Sequence, residues 1–455
     1  MEAPDGTGQL VYSGYFRDSQ GNGDVKVGFA QESSSTPVWN ICLFSHTCLQ
    51  AGPPCCGSDV NIDFAVPMFT DPNNPGHSQV KWGGDPYLVT GRDNAPSAGL
   101  VLVLSLGISQ DSNNGSGHTD LVVATQSWDG GKTYVHTDLV NDGHCDSGAM
   151  QMPTAFLDPA RGRVWVVWRY NNFPDLGGTY GACIRRGDID VVNQKINWGT
   201  VFDIQNLNRQ QFDGVGGLMV DGSSLQDPPV VTVVYSNTDH TYACPDGDDK
   251  DVAWYEVSTT DDGQDWSAST LIRDTQTFTW CPAGGKIQNS LRAFSFLKTI
   301  TAGQVVEWAA LNVSRNQIEL WKKDDVSPWT LWFVWTTAAT ESRFFPSLAS
   351  DDGENAHLAV EFLVNDSAGV RPDYAGTTNA LQNIWDSEFA LQGQAPLIAG
   401  DLSLGKYVSL GARPPIPGAP AFMSYLATYP EWIFNPASGQ LSEPFLASDR
   451  VGTQQ

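Results

Sequence analysis

The sequence predicts an all-β protein, and three observations support this prediction. Short apolar segments recur along the 455-residue chain, bounded by Gly, Pro, Asp and Asn, which is typical of strands. The chain contains 45 Gly and 11% aromatic residues, a composition that suits many strands joined by tight turns. A short turn pattern occurs twice, each time after a strand-like segment. No segment with the period of an amphipathic helix argues for a second, helical domain.

The strand-like segments come in repeated units, each a small-residue strand followed by a strongly apolar one. The units recur about every 60 residues, a period typical of propeller arrays. The paired segments are 85–90 with 100–105, 152–158 with 163–168, 216–221 with 229–235, and 345–350 with 357–362. Two weaker units begin near Arg292 and Lys406, and four more candidate strands lie at 10–16, 25–31, 38–44 and 61–69.

The repeated turn reads Ser127-Trp128-Asp129-Gly130-Gly131 and, in the second copy, Thr259-Thr260-Asp261-Asp262-Gly263. In each copy one residue separates the hydroxyl residue from Asp and one separates Asp from Gly, which is Gly131 or Gly263. An aromatic residue follows three positions after that Gly, at Tyr134 and Trp266. The Asp side chain can accept hydrogen bonds from the turn's own N–H groups, and Gly permits a positive φ. The pattern therefore predicts a hairpin turn.

This turn resembles the Asp-box of sialidase-like β-propellers. The resemblance covers the whole chain and implies a single-domain β-propeller over residues 1–455. We expect seven blades of about 65 residues each, with six as the alternative. Closing the sheets into a ring hides their edges, which makes so large an all-β domain tolerable.

Charge and composition limit the partners. The net charge is −26 and the sequence pI about 4.4, so the chain will not bind nucleic acid or anionic membranes through its overall field. No run of 18 apolar residues is present to span a membrane. The opening Met-Glu-Ala-Pro-Asp reads like a mature secreted sequence with an added Met, so we expect an extracellular monomer.

The eight cysteines favour disulfides over a zinc site, because their number is even and no metal-ligand spacing appears. Cys145 with Cys183, and Cys244 with Cys281, are possible pairs. An acidic run has calcium-like spacing, although a solvated turn is the more common reading. No cofactor is required and no metal is expected at the site, a structural calcium being the one possibility. The run comprises Asp246, Asp248, Asp249 and Asp251.

The propeller geometry selects the candidate site residues. Polar residues that precede first strands or follow second strands converge on one face, whereas the repeated turns join third to fourth strands on the other. Several cations in this acidic chain meet the condition, which suggests a site for a carboxylate. As candidate acid and base groups we select His144, Tyr170, His240 and Tyr242. As candidate substrate-binding groups we select Lys81, Asp85, Arg169, Arg292, Arg343 and Tyr407.

Some of these residues also have a structural interpretation. Arg292 and Arg343 can bond carbonyls at blade ends, and His144 can order a loop beside Cys145. Arg292, Arg343 and Tyr407 resemble part of a sialidase site, but the Arg-Ile-Pro motif of that family is missing.

The resemblance extends loosely to propeller-type polysaccharide lyases, including ulvan lyases and the gum-arabic rhamnose–glucuronate lyase. It rests on His144 ahead of a first strand and on Arg169-Tyr170 after the next strand. It implies β-elimination on a uronate-containing polysaccharide, with arginines neutralising the carboxylate and His or Tyr moving protons. A glycoside hydrolase, with carboxylates from Asp85, Asp146, Asp213 or Glu431, is the first alternative. A non-catalytic glycan-binding lectin is the second.

Overall fold

The computed structural model contains strands and their turns, with one 3-10 helix, Ala380–Gln382, among the described residues. The all-β prediction is confirmed. The backbone is described for residues 9–17, 23–32, 39–41, 80–91, 99–109, 121–130, 136–141, 149–158, 160–171, 180–207, 212–220, 227–238, 252–274, 294–301, 304–314, 316–336, 338, 341–350, 358–366, 369–377, 380–382, 385, 389–390, 409–413, 423–431, 434–435, 440–441 and 445–453.

The described strands form seven sheets of three or four strands, named sheets 1 to 7 in chain order. Sheet 1 contains β1 (Gln9–Arg17), β2 (Gly23–Glu32) and β3 (Trp39–Ile41). Sheet 2 contains β4 (Val80–Thr90), β5 (Val101–Ser109), β6 (Leu121–Ser127) and β7 (His136–Leu139). Sheet 3 contains β8 (Ala149–Asp158), β9 (Arg163–Asn171), β10 (Tyr180–Asp190) and β11 (Lys195–Asp203).

The remaining sheets follow the same plan. Sheet 4 contains β12 (Phe212–Val220), β13 (Val231–Thr238), β14 (Val252–Thr259) and β15 (Thr270–Asp274). Sheet 5 contains β16 (Phe294–Thr301), β17 (Gln304–Ser314), β18 (Gln317–Asp324) and β19 (Ser327–Thr336). Sheet 6 contains β20 (Ser342–Ala349), β21 (Leu358–Asp366), β22 (Gly369–Thr377) and β23 (Phe389–Ala390). Sheet 7 contains β24 (Ser409–Arg413), β25 (Met423–Glu431) and β28 (Phe445–Thr453), and a separate ribbon contains β26 (Phe434–Asn435) and β27 (Gln440–Leu441).

In sheets 2 to 6, each strand pairs with the next strand of the chain. The registers of sheets 2, 3, 5 and 6 are antiparallel, so these sheets have the up-and-down order of a propeller blade. The propeller class is therefore confirmed at the level of its sheets. The number of blades stays a prediction.

The apolar segments of the sequence form the second and third strands of the sheets, and these strands are largely buried. All seven residues of β6 are buried, and most of β17 is buried as well. A strand covered on both faces must be apolar on both faces, and its sequence then reads as a continuous apolar run. The fourth strand β11 is largely exposed, with only two of its nine residues buried. The contrast matches strands that lie inside and at the edge of a sheet.

The chain divides into two compact units. The first comprises residues 1–233 and 257–269, and the second comprises residues 234–256 and 270–455. One apolar core in the first unit is built from sheets 2 and 3 around Trp168 and Leu104. One core in the second unit is built from sheets 5 and 6 around Trp308 and Phe362. The single-domain organisation expected over residues 1–455 stays a prediction.

The first repeated turn joins β6 to β7, the third and fourth strands of sheet 2. The Ser127 hydroxyl donates to Asp129 Oδ1 at 2.8 Å. Gly130 has a φ of 77°, and its N–H donates to the Gly99 carbonyl at 2.9 Å. Ser127 lies opposite Val101, so the turn is at the end of the sheet where β5 begins, as the sequence predicts.

The second turn joins β14 to β15, again a third and a fourth strand. The Thr259 hydroxyl donates to Asp261 Oδ1 at 2.7 Å, and the Asp265 N–H donates to the same oxygen at 3.0 Å. Gly263 has a φ of 94°, and the Trp266 indole donates to its carbonyl at 3.0 Å. The Asp, the Gly and the aromatic residue thus have the roles that the sequence predicts.

Candidate functional site

Three of the predicted site residues have described side chains. Arg169 and Tyr170 lie near the end of β9, the second strand of sheet 3, and Arg343 lies at the start of β20, the first strand of sheet 6. Lys81 and Asp85 lie in β4, and their side chains are outside the described residues. Also outside the described residues are His144, His240, Tyr242, Arg292 and Tyr407.

The strand ends of sheet 3 agree with the arrangement that the sequence predicts for the site residues. Gln151, near the start of β8, pairs with Arg169 near the end of β9. The start of a first strand and the end of a second strand therefore coincide at one end of sheet 3. The connection between β9 and β10 leaves from that same end.

Arg169 and Tyr170 point to opposite faces of sheet 3, because successive strand residues alternate. Tyr170 shares its face with Trp168, and both belong to the apolar core formed with sheet 2. Both site candidates are buried, with relative exposures of 3% for Arg169 and 8% for Tyr170.

Tyr170 lies across the neighbouring strand rather than along its own. It is opposite Gly181 in β10, and a Cβ on Gly181 would come within 2.5 Å of the Tyr170 ring. Only glycine leaves room for the ring at this position. The hydroxyl consequently reaches Asp203, the last residue of β11, and donates to its Oδ1 at 3.2 Å. Asp203 was not selected from the sequence, because 33 residues separate it from Tyr170.

Arg343 is held through both its main chain and its side chain. Its carbonyl accepts a 3.0 Å hydrogen bond from Asn312 Nδ2. Its guanidinium carbon lies 4.8 Å from the centre of the Phe362 ring, a cation–π distance. Arg343 is 4% exposed, so its charge is inside the second unit rather than on the surface.

Asn312 belongs to an Asn-Val-Ser sequon, yet its side chain is 4% exposed and serves the fold. The pairing of β17 with β18 shifts register between Asn312 and Ser314. The carboxamide then donates to the carbonyls of Ser314 at 2.8 Å and Gln317 at 3.2 Å, in addition to that of Arg343. A side chain with these contacts is not open to glycosylation in the folded protein.

Glu361 is a buried titratable group that is not among the predicted site residues. It lies in β21 with a relative exposure of 0%, and neither carboxylate oxygen has a hydrogen-bond partner. Burial raises the pKa of this carboxyl well above its ordinary value. The available signal was a single Glu within the apolar segment Leu-Ala-Val-Glu-Phe-Leu-Val of residues 358–364.

The expectations about metal ions and membranes can be compared only with the described part of the chain. Among the residues with described positions, no group of three or more His, Cys, Asp or Glu side chains is arranged to hold a metal ion. The acidic run at 246–251 lies outside the described residues. No helix in the described part of the chain is long and apolar enough to cross a membrane.

Cys183 in β10 is disulfide-bonded, and none of the described cysteines is a free thiol. Cys145, suggested as its partner, lies outside the described residues. The wider disulfide set stays a prediction.

Sequence comparisons identify no relative. No protein-family model matches the chain, and no curated protein matches it significantly. Solved structures with a similar arrangement include a variant of the NanB sialidase from Streptococcus pneumoniae, with 9% identity, a TM-score of 0.40 and coverage of 97% of this chain and 85% of the sialidase.

Two further structures show a comparable likeness. The six-bladed fucose-binding lectin from Aleuria aurantia has 10% identity, a TM-score of 0.39 and coverage of 79% of this chain and 94% of the lectin. A protein from Lactobacillus plantarum has 12% identity, a TM-score of 0.38 and coverage of 98% and 96%. These values are too low to transfer a function, so the fold assignment rests on the strand order of the sheets.

Proposed function

We propose that this protein is a secreted carbohydrate-active enzyme that cleaves an acidic, uronate-containing polysaccharide by β-elimination. The observation that carries the proposal is the adjacent pair Arg169 and Tyr170 at the loop-bearing end of sheet 3. A buried guanidinium and a hydrogen-bonded phenol are the two kinds of group that this chemistry needs.

The chemistry starts from the substrate carboxylate. The proton on the carbon beside it becomes acidic only when the negative charge that develops on the carboxylate is stabilised. An Arg side chain can bind both carboxylate oxygens at once and remains charged at every relevant pH. We assign this role to Arg169, and the sequence adds Arg292 and Arg343 as further candidates.

Proton transfer completes the elimination. A base removes the proton, the electron pair forms a double bond, and the glycosidic oxygen leaves with a proton from an acid. Tyr170 is the described candidate for one of these roles, and His144 is the candidate that the sequence supplies for the other. The pair His240 and Tyr242 is the alternative set.

The test is incubation with a panel of acidic plant and algal polysaccharides while the ultraviolet absorbance of the unsaturated product is followed. We expect absorbance to grow with the wild type and to fall about 100-fold in rate with Arg169→Ala. Arg163→Ala is the matched control, because Arg163 is at the other end of β9 and pairs with Asp188 and Asp227.

The panel also separates the alternatives. New reducing ends without ultraviolet absorbance would identify a glycoside hydrolase. Binding without any product would identify a lectin. Absence of both binding and product across the panel would contradict a carbohydrate-active function.

A further inference from the structure

The two repeated turns differ at one position where the backbone is left-handed. The first turn has Gly130 at this position, with a φ of 77°, and the second has Asp262, with a φ of 63°. The left-handed region is restricted for any residue with a Cβ, so a side chain there is destabilising unless its contacts compensate. We therefore expect the side chain of Asp262 to make a contact that Gly cannot make.

Asp262 makes this contact with sheet 3. Its Oδ2 accepts a hydrogen bond from Arg186 Nη1 in β10. Asp and Asn usually tolerate a left-handed conformation because their short side chains bond the local backbone. Asp262 instead bonds a residue 76 positions away in the sequence. The left-handed conformation therefore serves the packing of the turn against sheet 3.

A second left-handed residue makes a contact in the opposite direction, from sheet 3 to the turn. Asn206 follows β11 and has a φ of 64°. Its Nδ2 donates to the carbonyls of Trp266 at 2.7 Å and Ser267 at 3.1 Å, and its own carbonyl accepts a 2.8 Å hydrogen bond from the Ser269 hydroxyl. Of the three non-glycine residues with a positive φ in the described part of the chain, two therefore lie where this turn contacts sheet 3.

The contact leaves no space for a side chain beneath the turn. A Cβ on Gly263 would come within 3.0 Å of Ile184 in β10 and 3.6 Å of Phe202 in β11. The turn thus lies directly on the third and fourth strands of sheet 3. Both sides of the contact belong to the first compact unit.

We infer that the turn at residues 259–269 is a latch that fastens the tip of the β14–β15 hairpin to sheet 3, and that Asp262 and Asn206 hold it closed. This inference is independent of the proposed function. Segments that open together share their protection from hydrogen exchange. The turn and the segment that follows β11 should therefore be protected together.

Two amides report on the latch, one from each side. The Ser267 N–H donates to the Ser258 carbonyl within the hairpin at 2.8 Å, and the Ile204 N–H donates to the Ala182 carbonyl within sheet 3 at 2.9 Å. Neither hydrogen bond crosses from the hairpin to sheet 3. A change that opens the latch should speed exchange at both amides, whereas a change confined to the turn should act on Ser267 alone.

The test is residue-resolved hydrogen exchange of the wild type and of variants at the latch. Asp262→Asn keeps a residue type that tolerates the left-handed conformation but removes the charge that binds Arg186. Arg186→Met removes the other half of the pair, and Asn206→Gly removes the carboxamide while allowing the same φ. We expect exchange at both reporter amides to be about fivefold faster in each variant. Combining Asp262→Asn with Arg186→Met should add little to either change, because both remove the same pair.

Asp265→Asn is the matched control. Asp265 lies in the same turn and donates its N–H to Asp261, a hydrogen bond that the substitution keeps. It changes the net charge as Asp262→Asn does, and it should leave both reporter amides at the wild-type rate. Far-ultraviolet circular dichroism establishes that each variant is folded, and Asn206→Gly is the independent variant if those at the Arg186–Asp262 pair are not.

Three results would overturn the inference. Wild-type exchange in both Asp262→Asn and Asn206→Gly would mean that the turn stays on sheet 3 without these side chains. Faster exchange at Ser267 with Ile204 unchanged would mean that the substitutions act within the hairpin only. An equal increase in Asp265→Asn would assign the effect to the total charge of the turn and not to the contact with sheet 3.

Discussion

Four glutamates are buried within the described strands of the second unit, and they differ in whether a nearby cation compensates the carboxylate charge. Three of them have a Lys or Arg within ion-pair distance, whereas the fourth has no hydrogen-bond partner at all. The paired glutamates are Glu256, Glu307 and Glu319, and the fourth is Glu361.

Lys323 joins two of the paired carboxylates. Its ammonium lies 2.6 Å from Glu256 Oε1 and 3.0 Å from Glu307 Oε2, and Lys298 lies 2.7 Å from Glu307 Oε1. Burial alone would raise the pKa of Glu307, but the two lysines outweigh it and hold that pKa below its ordinary value. Burial and the charge of Glu307 raise the pKa of Glu256, which has the one lysine.

Three side chains donate hydrogen bonds to Glu319. Arg273 Nε donates to Oε2 at 2.9 Å, the Trp321 indole donates to the same oxygen at 2.8 Å, and Gln317 Nε2 donates to Oε1 at 2.9 Å. The contrast with Glu361 shows two ways to keep a carboxyl inside a sheet. One keeps the charge and surrounds it with donors, and the other keeps the proton.

The largest expected effect comes from removing the shared cation. Lys323→Met leaves Glu256 without a cation, and it leaves Glu307 with Lys298 alone. We expect a loss of about 3 kcal/mol in the free energy of unfolding, at the low end for a buried pair because the lysine is partly exposed. Urea denaturation measures it.

Lys322→Met is the control for this change. Lys322 is the next residue along β18 and pairs with Asp324 at 3.3 Å at the hairpin. We expect it to cost about 1 kcal/mol or less. Equal losses in the two variants would mean that the buried network contributes nothing specific.

Glu361→Met should stabilise the protein, by about 1–3 kcal/mol at pH about 8, because it replaces an unpartnered carboxyl with an apolar side chain of similar size. The raised pKa means that the folded state holds this proton where the unfolded state has lost it. Wild-type stability therefore falls as pH rises from the unfolded pKa, about 4.3, toward the folded value. Thermal melts across this range should show the two proteins diverging with increasing pH.

Glu319→Met is the matched substitution on a paired glutamate, and it should destabilise the protein because Arg273 loses its carboxylate. The same replacement should therefore change the free energy of unfolding in opposite directions at Glu361 and Glu319. If Glu361→Met destabilised the protein to the same extent, Glu361 would have to be treated as a partnered charge.

Asp261 extends the comparison to a carboxylate whose partners are close in sequence. Asp261→Ala should cost about 1–2 kcal/mol, since the Asp265 N–H and the Thr259 hydroxyl both lose their acceptor. The Asp265 N–H and the Thr259 hydroxyl lower the pKa of Asp261. This contribution is therefore complete above the unfolded pKa and is lost as pH falls through the folded value.

Asp265→Ala is the control in the same turn, because it keeps the N–H that donates to Asp261. Guanidinium unfolding at neutral and acidic pH measures both variants. A loss for Asp265→Ala as large as that for Asp261→Ala would show that the turn depends on surface charge and not on the Asp261 acceptor.

The difference between local and distant partners also explains what the sequence could predict. The turn at Asp261 was predictable, because its donors lie within four residues and each residue type has one evident role. The strands and their order were predictable for a similar reason, since apolar runs and turn residues are local signals. These local signals were sufficient to predict the all-β class.

The interior charges were not predictable in the same way. Glu361 and Glu319 each follow an apolar residue and precede two more in a strand segment, and neither segment indicates a partner for its Glu. Only the neighbouring strands decide that one meets Arg273, 46 residues away, and the other meets no donor. The same holds for Asp203, whose contact with Tyr170 depends on Gly181 in the strand between them.

The smallest expected effect tests whether the geometry of a pair matters as well as its charge. Arg273 donates to both oxygens of Glu319, from Nε at 2.9 Å and from a terminal nitrogen at 3.3 Å. Arg273→Lys keeps the charge but can supply only one such contact, and it loses the guanidinium that lies 5.9 Å from the Trp321 ring centre. We expect a loss of about 1 kcal/mol in urea denaturation, and a larger loss for Arg273→Met. If lysine fully replaced arginine, charge alone would account for the burial of Glu319, and its difference from Glu361 would reduce to the presence of any nearby cation.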